Sequence, residues 1–263
     1  VTLLIDFLCR FGWGLSLALV LTPAALVPGG FFRVNLLVVM GLATFASLLA
    51  AGVPSESVLA GSAAAGVAGS VWLLAAVAAV VAWVGGILWL AGKEKGGSGA
   101  CALCALLLAA AVWGSGEPTP VAAGSRLLSG AVVGLTVHAM LLGHWYLNAP
   151  GMRVDALRQM IDLALVAWVL QLAAAGAMLA GANLAAATAG SPGLAGQPVG
   201  TTTMALASLR WLAGLLGLPV LLWMSRKTLE IPNTQSATGI LYVACLAAIV
   251  GELAAQLLAA TAR

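Results

Sequence analysis

Apolar residues run along this chain in long blocks, and turn-forming or charged residues fall mostly between them. A helix that crosses the hydrocarbon core of a bilayer needs about 20 mostly apolar residues. Eight blocks approach or exceed that length: Leu3–Val27, Arg33–Ala51, Ser70–Leu90, Gly99–Trp113, Ala122–Leu147, Asp155–Leu179, Met204–Met224 and Ser236–Ala259. The punctuation is of the kind that stops helices. Pro28-Gly29-Gly30 follows the first block, Gly52-Val53-Pro54 the second and Lys93-Glu94-Lys95-Gly96-Gly97 the third. Gly116-Glu117-Pro118 follows the fourth, Asn148-Ala149-Pro150-Gly151 the fifth and Ile231-Pro232-Asn233 the seventh.

Ser57–Gly69 is small and apolar, and reads either as an extension of the third block or as a re-entrant piece. Gly181–Thr203 is rich in Gly, Ala and Thr without charge, and reads as an exposed loop with a short helix. Pro219 lies inside the seventh block, where loss of a backbone donor predicts a kink. The fold expected is therefore all-α: a polytopic membrane protein of about eight transmembrane helices. A weak repeat divides it. Arg33-Val34-Asn35-Leu36 and Arg153-Val154-Asp155-Ala156 each open a helix after a Pro-Gly turn. Residues 1–120 and 121–263 then form two four-helix units within one membrane domain.

Composition excludes the soluble alternative. Charged residues make up 7% of the chain and mean hydropathy is +1.10, whereas soluble domains carry about 25% charged residues. The net charge of +3 is spread among loops, which suits an orientation signal and not nucleic-acid binding. Arg33, Lys93, Lys95, Arg153, Arg158, Arg226 and Lys227 fall in the odd connections; the even connections and the termini carry chiefly Arg126 and Arg263. In a bacterial inner membrane this asymmetry predicts both termini on the outer side. Val1 to Val20 lacks a basic start and holds Asp6 and Arg10, so it reads as a mature first span.

The chemistry is limited. Cys9, Cys101, Cys104 and Cys245 lie in apolar runs, and the single CxxC has no second pair to complete a metal or cluster site, so buried thiols are expected and no metal. His138 and His144 lie about 120° apart around one helix and about 9 Å apart along it, which excludes bis-His haem within this chain; nothing in the sequence supports His/Met ligation or a ligand from a partner chain, so no haem bound by this chain alone is expected. His138 is expected to be packed and hydrogen-bonded. No phosphate loop, HExxH or GxSxG occurs.

Charges inside the blocks are the functional candidates, because an ionisable side chain in hydrocarbon is costly and seeks partners. Asp6 and Arg10 stand four apart in the first helix, Arg210 lies in the seventh and Glu252 in the eighth, all near one level. They are expected to cluster, either as a functional site or as a lock between helices. His138, His144 and Asp162 are candidates for a proton path from the other side, with His144 the expected partner of Asp162. Trp145, Tyr146, Asp155 and Arg158 read as an interfacial belt and solvated helix start.

In the last block, Thr238-Gly239-Ile240-Leu241-Tyr242-Val243 leads to Ile249-Val250-Gly251-Glu252-Leu253. With the eight-span plan, this Gly-Glu-Leu resembles the membrane-anchor subunits of polysulfide and dimethyl-sulfoxide reductases. Ala254-Ala255-Gln256 follows where an Arg and aromatics are common in that family. The resemblance implies a haem-free subunit that exchanges electrons between membrane quinone and an attached iron–sulfur or cytochrome partner. Arg10 and Arg210 would then donate to quinone, and Asp6 and Glu252 would take protons from quinol. Two further readings remain: a secondary transporter with the outer charges as its substrate or proton site, and a structural or assembly subunit whose charges only lock helices.

Overall fold

The computed structural model of the chain describes residues 1–52, 64–115, 119–149, 153–188, 200–231 and 233–261. The chain is an all-α polytopic membrane protein with eight helices long and apolar enough to span a bilayer. These are α1 (Thr2–Leu21), α2 (Gly29–Ala51), α3 (Ala64–Leu90), α4 (Glu94–Gly114), α5 (Pro120–Asn148), α6 (Asp155–Thr188), α7 (Thr201–Thr228) and α8 (Thr234–Thr261). The expected stops at Val53-Pro54, Gly116-Glu117-Pro118, Pro150-Gly151 and Pro232 lie outside the described residues, as do 57–63, 189–199 and Arg263.

Several boundaries differ from the sequence expectation, each for a local reason. α1 ends at Leu21, not Val27, because Pro23 forces Thr22 into an extended conformation (ψ 124°). Residues 64–69 extend α3 toward its start. The break after α3 is shorter than Lys93–Gly97. Gly92 takes φ +69°, Lys93 N–H donates to Leu88 O at 2.9 Å, and Glu94 already opens α4. Helical placement of Gly97 matters, because a Cβ there would lie 2.5 Å from Trp89 Nε1. α5 starts at Pro120, where Thr119 Oγ1 accepts from Ala122 N–H at 3.3 Å. α6 continues to Thr188, into the stretch expected to be a loop.

The helices pack as two groups. α1 lies on α2 and α4, α2 on α3, and α3 on α4; α5 lies on α6 and α8, and α7 on α8. The groups join mainly through α1 against α5. That seam is glycine against glycine: a Cβ on Gly134 would lie 2.0 Å from Gly14 C, and one on Gly14 would lie 1.8 Å from Gly130 O. Lipid tails are as apolar as Leu, so close backbone packing of this kind drives helix association in a bilayer. α5 is the central helix, with 72% of its apolar window buried, against 11% for α6 and for α7.

α7 changes register along its length. It is α-helical over Thr201–Leu209, π-helical over Arg210–Gly217 and α-helical again over Leu218–Thr228. A widened turn thus lies directly ahead of Pro219. Leu218 N–H donates to Ala213 O five residues back. The next carbonyl, Gly214 O, would take its donor from residue 219, and proline has none. Trp168 Nε1 of α6 supplies it at 3.2 Å.

Candidate functional site

The upper end of the bundle, where α1 begins and α8 ends, holds a polar network built on close helix contacts. Gly130 of α5 lies so near α1 that a Cβ would meet Arg10 O at 2.5 Å. This brings Ser129 beside the Arg10 side chain. Arg10 forms an ion pair with Asp6 one turn back and another with Glu252 of α8, its Nη1 donating to Glu252 Oε1 at 2.7 Å. Ser129 Oγ and Gln256 Nε2 each donate to the same Oε1 at 3.0 Å. Ser115 Oγ at the end of α4 donates to Asp6 Oδ1 at 2.9 Å. Glu252 is 4% exposed and Arg10 14%, so the charges are withdrawn from solvent and matched to one another, as burial requires.

Arg210 stands beside this network without joining it. Gly214 lies one turn below it on α7, and a Cβ on Gly251 would lie 2.6 Å from Gly214 Cα. That contact holds α7 against the part of α8 that carries Glu252. Arg210 has no ion pair or hydrogen bond among the described residues.

Between the two is a cavity of about 320 Å³, lined by Arg10, Ser125, Arg126, Ser129, Gln171, Met178, Arg210, Glu252 and Gln256, with Ala122, Ala255 and Ala259. A narrow continuation of about 20 Å³ descends past Val132, Val133, Gly214, Leu215, Leu218, Ala248 and Gly251. α6 packs on Leu218–Thr228 at the lower end and less closely beside Arg210–Gly217, where the Trp168–Gly214 bond joins the two helices. No side chain of Thr201–Gly217 is buried. Gln171 and Met178 of α6 and Arg210 of α7 stand on the α6–α7 side of the cavity.

Asp6, Arg10 and Glu252, singled out in the sequence, meet in one network, and Arg210 lines the adjoining cavity. The sequence reading missed Ser115, Ser129, Gln171 and Gln256. Their signal was available: each is an uncharged polar residue in an apolar helix or at its end, and Gln256 stands one turn beyond Glu252.

At the lower end the expected pairing of His144 with Asp162 is not formed. Asp162 pairs with Arg226 of α7 at 2.8 Å, a stronger charged partner on the helix that α6 faces. His144 lies toward α8, its Nδ1 3.1 Å from Tyr242 Oη. His138 is fully buried, with Nε2 2.7 Å from Thr22 Oγ1 and its ring 5.2 Å from Phe31. His138, His144 and Asp162 thus occupy three separate pairs, and no direct hydrogen bond links one to another. Tyr146 Oη donates to Arg153 O, Arg153 pairs with Asp155 at 2.7 Å, and Arg158 Nη2 donates to Leu229 O at 2.6 Å. Beyond the spans, Lys227 donates to Glu230 at 2.8 Å, and this bond holds the Glu230 carboxyl below the usual glutamate range. All four cysteines are buried free thiols, Cys104 Sγ lying 3.5 Å from Ala78 O.

No family model, curated protein or solved structure matches the chain.

Proposed function

We propose that the chain is a membrane-embedded binding subunit whose ligand is an amphiphile drawn sideways from the bilayer into the upper cavity. The observation that carries this reading is a cavity lined by Arg210 and Glu252 at the level where α6 and α7 pack less closely than they do at Leu218–Thr228. An apolar approach leading to a few convergent polar groups is the general form of a small-molecule site. Charges in hydrocarbon most often mark a ligand or ion pathway. The π-helical turn at Arg210–Gly217 supports the same location, since such turns recur at functional sites.

The test is a photoactivatable fatty probe added to the purified chain in lipid discs, with mapping of labelled peptides. Labelling concentrated on Gln171–Met178 and Arg210–Gly217 is expected. Labelling spread evenly over exposed apolar positions such as Leu48, Leu106 and Leu246 would discard lateral loading.

A second reading, a quinone-reactive subunit of an electron-transfer complex, is favoured by one feature: Glu252, a proton acceptor, lies within 2.7 Å of the donor Arg10. It requires an iron–sulfur or cytochrome partner. Gentle purification from native membranes with mass spectrometry tests it; redox subunits together with quinone would favour it, and a lone chain would dismiss it.

A further inference from the structure

On the reading that the cavity is filled from the bilayer, we infer that its occupant carries an anionic group beside a hydrogen-bond donor: a phosphate or carboxylate a few bonds from an ammonium or hydroxyl. Arg210 and Glu252 carry the argument. Both line the cavity and its narrow continuation, yet they form no ion pair with each other.

Arg210 lies about 13 Å along α7 from Thr201, and its guanidinium has no acceptor among the described residues. A guanidinium in that setting is best met by a planar or tetrahedral oxyanion, which it can hold through two N–H groups. Glu252 presents the opposite need. Its Oε1 already takes Arg10, Ser129 and Gln256, while Oε2 accepts from no described residue. A carboxylate oxygen with open lone pairs accepts an N–H or O–H.

Arg10, Arg126 and Arg210 line the cavity with Glu252. Arg10 is taken by Asp6 and Glu252, so the groups argued from are the Arg210 guanidinium and the Glu252 Oε2, one pole of each sign. An oxidised quinone only accepts hydrogen bonds; it would suit Arg210 and leave Glu252 Oε2 without a donor. The volume of about 320 Å³ falls within the usual range for small-molecule sites, about 300–1,000 Å³.

The experiment is native mass spectrometry of the purified chain with phosphatidylethanolamine, phosphatidylglycerol, phosphatidylcholine and a long-chain quinone, each titrated separately. Soluble phosphoethanolamine and glycerol 3-phosphate are added in parallel. The first two lipids pair a phosphate with an N–H or O–H donor; phosphatidylcholine has the phosphate and no such donor. Retention of the first two about tenfold above phosphatidylcholine and quinone is expected, from one charged hydrogen bond. Arg210→Gln should lower that retention about tenfold, and Arg210→Lys should restore part of it. Arg210 forms no ion pair or hydrogen bond with a described residue, so Arg210→Gln should not lower the unfolding temperature. Equal retention of phosphatidylcholine, or binding indifferent to Arg210→Gln, overturns the head-group assignment while the labelling test judges lateral loading separately. Preference for quinone overturns it in favour of the electron-transfer reading. Binding of the soluble compounds alone supports the head-group chemistry and rejects entry from the bilayer.

Discussion

Arg10 Nη1 and Glu252 Oε1 lie 2.7 Å apart and join α1 to α8. The same arginine holds Asp6, and the same carboxylate oxygen collects Ser129 and Gln256. One ion pair thus ties α1, α5 and α8 around the wall of the cavity.

Removing Arg10 should be the most damaging change in this network. Arg10→Leu leaves Asp6 and Glu252 facing each other's charge in a withdrawn site, and breaking such a pair costs about 3–5 kcal/mol. Glu252→Gln keeps acceptor oxygen for Ser129 and Gln256 and should cost less. Thermal unfolding in mild detergent ranks the two; an equal or reversed order would mean the network is not held by Arg10.

The α1–α5 seam should tolerate no side chain. Gly134→Ala places a Cβ 2.0 Å from Gly14 C, backbone against backbone, so the helices must part and the protein should lose about 3 kcal/mol or more. Gly41→Ala is the control, because nothing lies within 4 Å of its Cβ position; it should shift stability by no more than about 0.5 kcal/mol. Folded yield and unfolding temperature of the two variants decide the matter.

Trp168 and Pro219 should be energetically coupled although they lie on different helices. Trp168→Phe strips Gly214 O of its donor and should cost about 1–3 kcal/mol. Pro219→Ala restores a backbone N–H that can serve the same carbonyl, so Trp168→Phe should cost about 1 kcal/mol less in that background. A double-mutant cycle on thermal stability measures this, and additive effects would show that the indole does not replace the missing proline donor.

Glu230 should titrate below an ordinary glutamate. Its hydrogen bond to Lys227 favours the ionised form. A carboxyl depressed in the folded state adds stability above its unfolded pKa, and that contribution is lost as pH falls through the folded value. Both partners are exposed, 53% and 56%, so the effect on stability should be small. Carbon-detected NMR titration should find the Glu230 midpoint lowered, and Lys227→Gln should return it to the usual range.

The amino-acid sequence by itself determined the eight helices and the polar level at which Asp6, Arg10, Arg210 and Glu252 lie. Both follow from quantities local to the chain. Apolar length sets a span, and rise per residue sets depth. Tertiary structure decided which charges touch. His144 and Asp162 are near in depth, yet rotation of α5 and α6 gives them to Tyr242 and Arg226. Arg210 shares the level of Glu252 and still stands apart from it, because the Gly214–Gly251 contact and the π-helical turn fix where α7 lies. The cavity itself is assembled from side chains of α1, α5, α6, α7 and α8, a relation between helices that no single stretch of sequence encodes.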